Sequence, residues 1–523
     1  MSTAPSQSER RIQQSSISIA FLIAVALLYC SSALMAPFWN GNDTWSNLLP
    51  VIHYRQSILE QGRLPLYTEL WYGGREQWAN PLWNFLYLPA TLLWLVLPLD
   101  WGTRVVFLGH LIFSLLAGRT LAALFLKGEI ERAASAILFT SPILVALTAG
   151  HVEKVISWGW VLLALYCVLN PTWSSARRGL GSGLCLGIIA LTGSNYYTFY
   201  AGILLVALVV SFREIRLFSF FSLGASLGLL HLPSVWHMVG QARTHADVFI
   251  GSYSMDLWSG LSAIAVGYSM PPSWEKWTPV GILTLYLFGM ILLQKAMKRA
   301  KGENVTVTAQ EAALLFSISL LILLASGLAY RFVNWFDLFR IPSRALAFVA
   351  LGIALYVVMN TEESIQRSAL SEKAARLMLL ISAVQVLAGA WIIRPQGSPF
   401  SPYETSVQHL ADVLKADHAK SVWLSTQKLD NMYIDVGLTR NYISLPNVYY
   451  GDMGQSIHVE GPYCGYSFDH ILTRASVDGA VIELSPNVEW SHSTGKIPID
   501  DLLLLEEVRL GGELMHVYRV ICR

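Results

Sequence analysis

The chain has 523 residues, 54% hydrophobic and 14% charged, with a formal net charge of +1. Soluble domains carry about 25% charged residues, so this composition, with a mean hydropathy of +0.47, excludes a soluble protein and points to an integral membrane protein. The near-neutral balance, with Lys and Arg in short clusters between apolar runs, fits membrane orientation rather than polyanion capture; the lipid bilayer is an expected partner and nucleic acid is not.

A polar start, "MSTAPSQSERR", precedes an apolar run over about 17–38, long enough to cross roughly 30 Å of hydrocarbon. It reads as a retained first helix rather than a cleaved signal, whose apolar region is shorter. Further apolar runs lie near 81–99, 103–126, 133–149, 155–169, 179–193, 197–212, 217–239, 278–294, 311–329, 344–359 and 377–393. Basic clusters fall at "ERR" (9–11), "KGEIER" (127–132), "ARR" (176–178), "REIR" (213–216), "KAMKRAK" (295–301) and "RSALSEKAAR" (367–376). Lys and Arg in short loops resist translocation. With all six clusters in the cytoplasm, the spans between them must pair as out-and-back hairpins.

Parity fails once, because three runs separate "ERR" from "KGEIER". The 81–99 run contains Pro81, Pro89 and Pro98 and is expected to be interfacial or re-entrant on the outer side. Eleven spans remain, with a cytoplasmic N-terminus. The outer face then receives the long loop 39–102, "AGHVEK" (149–154), "SNYYTFY" (194–200), the loop 240–277, "YRFVNWFDLFRIPSR" (330–344) and the tail from 394. The expected fold is a polytopic α-helical membrane domain over 1–393 and a small extracytoplasmic α/β domain over 394–523.

In the first outer loop, Trp45, Leu48, Leu49, Ile52 and Leu59 recur at helical spacing, predicting a helix in the membrane plane that stops at Gly62. Asp43 opens it, either as an N-cap or as a general base where a lipid-anchored substrate meets a water-borne acceptor. "AGHVEK" brings His151, Glu153 and Lys154 together, as a polar site or as a solvated turn. Tyr196 and Tyr197 suit sugar stacking and equally an interfacial aromatic belt. Outer-side arginines Arg331, Arg340 and Arg344, with Arg75, Arg104 and Arg243 in reserve, can bind a phosphate through the planar guanidinium fork; each can also snorkel to headgroups or pair with Asp337.

No divalent metal is expected, because His237, His245 and Asp247 are irregularly spaced, and no Gly-rich nucleotide loop is present. The five cysteines have no CxxC or metal-ligand spacing. Cys30, Cys167 and Cys185 sit in apolar runs as packing residues. Cys464 and Cys522 lie in the tail, where a disulfide is permitted outside the cytoplasm. The tail itself predicts a helix at "SPYETSVQHLADVLKAD", strands at "KSVWLST", "RNYISL" and "GAVIEL", and a terminal hairpin turning at Gly511–Gly512.

The segment "DTWSNLLPVIHYRQSILEQGRLPLY" from Asp43, followed by "GGREQWANP", resembles the first outer loop of YfhO-type bacterial membrane proteins of the GT-C glycosyltransferase superfamily. "SPILVALTAGHVEKVISWGW" (141–160) and "LFRIPSRALAFVALGIAL" (338–355) resemble later segments in the same order. One departure is "LYTELW", which puts Glu69 where the family has Leu-Trp-Asn-Pro. The resemblance implies transfer of a sugar from a polyprenyl-phosphate-linked donor, at the outer face, to an envelope glycan, lipid or polymer acceptor, with inversion. It maps the base onto Asp43 and a second acidic residue onto Glu153. The arginines would take the donor phosphate, and His151, Tyr196, Tyr197 and Glu69 the sugar or acceptor. The competing expectations are a flippase for lipid-linked glycans and a scaffold of the same architecture without activity.

Overall fold

The computed structural model describes residues 7–35, 38–40, 51, 54–60, 62–65, 67–68, 75–76, 84–231, 257–266, 279–303, 307–327, 342–366, 372–392, 394–398, 405–419, 421–425, 447–450, 470–473, 481–484, 495–498, 501–510 and 513–521. The chain divides into two compact units, one of residues 1–32, 81–96 and 101–396, the other of 33–80, 97–100 and 397–523. Residues 33–80 thus group with the tail from 397.

The first unit is helical. Its helices are α1 (Gln7–Met35), α2 (Leu88–Val96), α3 (Leu99–Ala122), α4 (Glu129–Ala149), α5 (Val152–Leu169), α6 (Ser175–Leu191), α7 (Asn195–Ser211), α8 (Ile215–Ala225), α9 (Leu257–Val266), α10 (Ile282–Ala300), α11 (Ala309–Ala325), α12 (Leu346–Gln366) and α13 (Glu372–Ile392). Among the described residues, six helical stretches are long and apolar enough to cross a membrane: Gln13–Met35, Leu99–Ala122, Glu129–Thr148, Val152–Leu169, Ser343–Thr361 and Lys373–Ile392. The chain is a multi-pass membrane protein. Shorter apolar helices, including α7 and α11, occupy other predicted runs. Helix α2 has nine residues, about 14 Å at 1.5 Å per residue, too short to cross the hydrocarbon. Proline in the run limits the length of this helix.

The basic clusters are knit into the helix ends. Arg119, near the end of α3, donates to Ser15 Oγ (2.6 Å) and pairs with Glu129 at 2.6 Å. Arg132 pairs with Glu129 at 2.6 Å, and Arg376 at the start of α13 pairs with Glu131 at 3.2 Å. Lys295 pairs with Glu311 (2.8 Å), where the capping box of α11 begins, and donates to Asn360 Oδ1 on α12 (2.7 Å). Arg178 of α6 donates twice to Val168 O at the end of α5, at 2.9 and 2.8 Å.

Helices α6 and α8 approach closely. Gly179, Gly183 and Gly187 repeat every fourth residue, and a Cβ on Gly179 or Gly183 would overlap the Leu217 or Phe221 carbonyl oxygen. From the other side, a Cβ on Gly224 would lie 2.6 Å from Leu184 N. Where lipid replaces water, small residues that let backbones touch drive helix association.

In the second unit, a short helical segment ends in a π-helical turn, Gln56–Glu60. Gly62 follows at φ +62°, and Arg63 N–H returns to Ser57 O (2.9 Å), so the predicted stop is a left-handed glycine. Val51, Tyr54 and Ser57 are buried and Leu59 is exposed, while Trp45, Leu48, Leu49 and Ile52, the rest of the expected apolar stripe, lie outside the described residues. The tail has helix α14 (Thr405–Ala416) and a five-stranded sheet in the order Leu502–Leu510, Glu513–Val520, His470–Thr473, Ser421–Ser425, Asn447–Tyr450. Its terminal hairpin pairs from Leu510 opposite Glu513, around the predicted two-residue turn. Strand Ser421–Ser425 pairs in parallel with both neighbours. Leu410, Leu414, Ile471, Met515 and Val517 are buried, and Asp417 joins His470 (3.0 Å) to Arg519 (2.7 Å).

Candidate functional site

The α4–α5 connection is compressed into two residues. Gly150 takes φ +74°, and the N–H groups of Gly150 and His151 return to Leu147 O (3.2 Å) and Ala146 O (3.0 Å). A left-handed glycine closes α4 without a longer loop. Glu153 therefore falls in the first turn of α5, where the positive end of the helix dipole favours a carboxylate.

His151, Glu153 and Lys154 are 3%, 6% and 4% exposed, so the solvated-turn reading is overturned. Glu153 Oε1 lies 3.4 Å from His151 Nδ1, and Lys154 and Arg344 are both within electrostatic reach of the carboxylate. Glu153 Oε2 has no hydrogen-bond partner among the described residues. Burial of an ionised carboxylate is tolerated only beside compensating charge, which Lys154 and Arg344 supply.

Arg344 belongs to the turn Pro342–Ala345 before α12. Its guanidinium lies over the Tyr196 ring, 4.4 Å from the centroid, a cation–π contact that fixes the plane of the fork. The bland reading of Tyr196 as a belt residue thus omits its part in orienting Arg344. Tyr197 has another place. Its ring is 3% exposed and meets Trp158 at 5.3 Å and Phe348 at 5.1 Å, edge to face.

That aromatic cluster sets the site's geometry. Trp158 also meets Phe348 at 5.3 Å and donates Nε1–H to Phe139 O (2.8 Å), while Tyr200 packs on Phe348 at 5.8 Å. Trp158 follows Glu153 by about one turn on α5, Tyr200 follows Tyr196 on α7, and Phe348 follows Arg344 into α12. One rigid apolar knot therefore positions the three polar side chains from three helices.

An apolar groove of about 840 Å³ runs beside α7, lined by Thr198, Phe199 and Val206 of α7 and by Ala312, Phe316 and Leu320 of α11. Its lining is almost wholly apolar.

Of the other expected site residues, Asp43, Glu69, Arg331 and Arg340 lie outside the described residues, as do Asp337, Arg243, His237, His245, Asp247, Cys464 and Cys522. Arg75 is described only by its backbone, in the strand Arg75–Glu76. Arg104 is buried in the first turns of α3, over Trp101 at 4.9 Å. Lys154, grouped with His151 and Glu153 from the sequence, was given no role of its own there.

No protein-family model and no curated protein sequence matches the chain. Among solved structures, it is similar to the Archaeoglobus fulgidus oligosaccharyltransferase, in a complex with Zn and sulfate (TM-score 0.50, 12% identity, 87% of this chain and 67% of that one). It also aligns with the mycobacterial arabinofuranosyltransferase AftD (TM-score 0.48, 15%, 100% of this chain) and spans 40% of that protein's length. Alignment with ArnT from Cupriavidus metallidurans, bound to undecaprenyl phosphate, gives a TM-score of 0.42, 11% identity and coverage of 95% and 97%. The chain shares the GT-C type of membrane fold with the oligosaccharyltransferase.

Proposed function

We propose that the protein is a membrane glycosyltransferase that moves a sugar from a polyprenyl-phosphate donor to an envelope glycan, lipid or polymer on the outer face of a bacterial inner membrane. The observation that carries this reading is the cluster of buried Glu153 and Lys154 with Arg344, whose guanidinium is oriented on Tyr196. The apolar groove lined by α7 and α11 would suit the other half of an amphipathic ligand. An anion and a long hydrocarbon chain are the two ends of a polyprenyl phosphate.

In this reading the acceptor hydroxyl attacks the anomeric carbon from the face opposite the phosphate. The bond from that carbon to the phosphate oxygen breaks, the acceptor proton passes to Asp43, and polyprenyl phosphate leaves with the configuration inverted. Arg344 and Lys154, with Arg340 and Arg331, meet the charge that builds on the leaving phosphate. Glu153 positions Arg344 and Lys154. His151, Tyr196 and Glu69 contact the sugar or acceptor. The eleven-span topology, the outer placement of 394–523 as a separate domain, and the YfhO-type likeness within the superfamily belong to this proposal and rest on the sequence.

The test is transfer of radiolabelled sugar from a polyprenyl-phosphate donor by membranes carrying the wild type or Asp43→Asn. Label entering an envelope acceptor with the wild type, and lost in the variant at equal expression, is expected. Undiminished transfer by the variant removes Asp43 from its role. Downhill movement of intact donor across the bilayer, without cleavage, supports a flippase instead.

A further inference from the structure

Tyr87 stands just before α2, the helix too short to cross the membrane, and nothing in the proposed reaction uses it. Its phenol oxygen is where three elements meet. His110, midway along α3, has Nδ1 2.6 Å from the Val106 carbonyl oxygen. A carbonyl only accepts, so Nδ1 carries the proton and Nε2 is left as an acceptor. Tyr87 donates its O–H to that Nε2 (2.8 Å) and accepts the indole N–H of Trp160, midway along α5 (2.9 Å). Phe113 of α3 meets the Trp160 ring edge to face at 5.0 Å, and Tyr87 and His110 are both buried.

A second contact sets the direction of α2. Trp94 Nε1 donates to Thr103 Oγ1 (3.4 Å), and a Cβ on Gly102 would lie 3.0 Å from the Trp94 ring. Trp94 follows Tyr87 by seven residues and Thr103 precedes His110 by seven, so α2 runs antiparallel beside the first half of α3. His110 lies about 16 Å along α3 and Trp160 about 12 Å along α5, at 1.5 Å per residue. Both helices are long and apolar enough to cross the membrane, whose hydrocarbon is about 30 Å thick, so the Tyr87 hydroxyl sits near mid-depth. Non-helical backbone persists there only where its polar groups are satisfied. Tyr87 N–H returns to Asn84 O (2.9 Å), Leu88 N–H to Leu86 O (3.1 Å), and Thr91 Oγ1 donates to Phe85 O (2.8 Å). Above this tip, α2 has two faces: Ala90, Thr91 and Trp94 are buried, whereas Leu88, Leu92 and Val96, every fourth residue, are exposed.

We propose that 84–96 is the arm of a re-entrant hairpin that reaches mid-bilayer and presents Leu88, Leu92 and Val96 to lipid acyl chains. The Tyr87–His110–Trp160 clasp seats its tip between α3 and α5. Entry from the outer leaflet rests on the orientation proposed above; the depth of the tip does not, and neither does the clasp.

The experiment uses the full chain in phosphatidylglycerol–phosphatidylcholine nanodiscs. A spin label is placed by Leu88→Cys, Leu92→Cys or Val96→Cys in a chain whose five cysteines are replaced by serine, and its depth is read from collisions with oxygen and with a water-soluble nickel chelate. Depth is expected to increase stepwise from Val96 through Leu92 to Leu88. Equal, shallow depth at all three means a helix lying in the interface and overturns the proposal. The unlabelled wild type supplies an arm that does not depend on the folding of a variant: amide exchange over 84–96 should be as slow as in α5, and fast exchange overturns the reading. Tyr87→Phe, which removes only the hydroxyl, is expected to speed exchange over 84–96 about tenfold while leaving α6 unchanged; unaltered exchange over 84–96 removes the clasp. No readout involves a sugar donor, so failure of the glycosyltransferase reading leaves this test standing.

Discussion

Glu153 and Arg344 decide the account at the level of single side chains. Glu153→Gln removes the one described carboxylate facing Lys154 and Arg344 while keeping its size. Misplacing a charge-stabilising group costs about 100-fold in rate, and sugar transfer by the variant is expected to fall by that order, with kcat affected more than donor KM. An unchanged kcat would reduce Glu153 to a packing residue. Arg344→Lys keeps the charge but loses the fork and the stacked plane over Tyr196. Bonds from charged donors contribute about 1.5–3 kcal/mol, so donor affinity, read by titration of lipid phosphate, is expected to drop roughly tenfold to a hundredfold; equal affinity contradicts the assignment. The sequence carried His151, Glu153 and Arg344 as candidates because polar residues at the outer ends of apolar runs are few. It did not show that Glu153 is buried, because a solvated turn and a buried ion cluster are written with the same three letters. Only tertiary contact from α7 and α12 separates them.

Helix pairs hold these side chains in place, and their contacts make separate predictions. Gly183 meets the Phe221 carbonyl oxygen across the α6–α8 interface, whereas nothing lies within 4 Å of a Cβ on Gly109 of α3. Gly183→Leu should therefore force the helices apart and cost about 1–3 kcal/mol or more by overpacking, seen as a lower unfolding midpoint in detergent. Gly109→Ala should be neutral or slightly stabilising, since Ala is a better helix former by about 1 kcal/mol. Equal behaviour of the two variants would refute the close packing. In the tail, Asp417→Asn weakens the partnership with His470, which is 1% exposed. Loss of a buried partner costs about 1–3 kcal/mol, measurable as faster proteolysis of 397–523. The helices themselves were legible from apolar runs, and the nine-residue α2 from its prolines. The Gly179–Gly183–Gly187 repeat was visible as a pattern, yet small residues are common in membrane helices, and their partner α8 appears only in three dimensions. The Tyr87–His110–Trp160 chain, with Tyr87 donating to His110 at 2.8 Å and receiving from Trp160 at 2.9 Å, was not legible at all, since its members are 23 and 73 residues apart.

Across the whole molecule, the account joins a fold shared with a known oligosaccharyltransferase to a proposed anion site at Lys154 and Arg344 and to an apolar groove lined by α7 and α11. Composition and the spacing of basic clusters were enough to give a polytopic helical protein. Which helices flank the groove could not be read from them, because α7 and α11 are about a hundred residues apart and equally apolar. Orientation is tested by cysteine accessibility: labels at 60–75 and in the tail should react from outside, and labels in 127–132 and 295–301 from inside. Reversal of that pattern puts the cationic cluster on the wrong face for an outer-leaflet donor. The most direct measurement is a structure of the protein in a nanodisc with polyprenyl phosphate. The account predicts the phosphate on Arg344 and Lys154, and the chain lying along Phe199, Val206 and Phe316. A phosphate bound at the other end of the helices, or a chain seated elsewhere with Arg344 untouched, would contradict it.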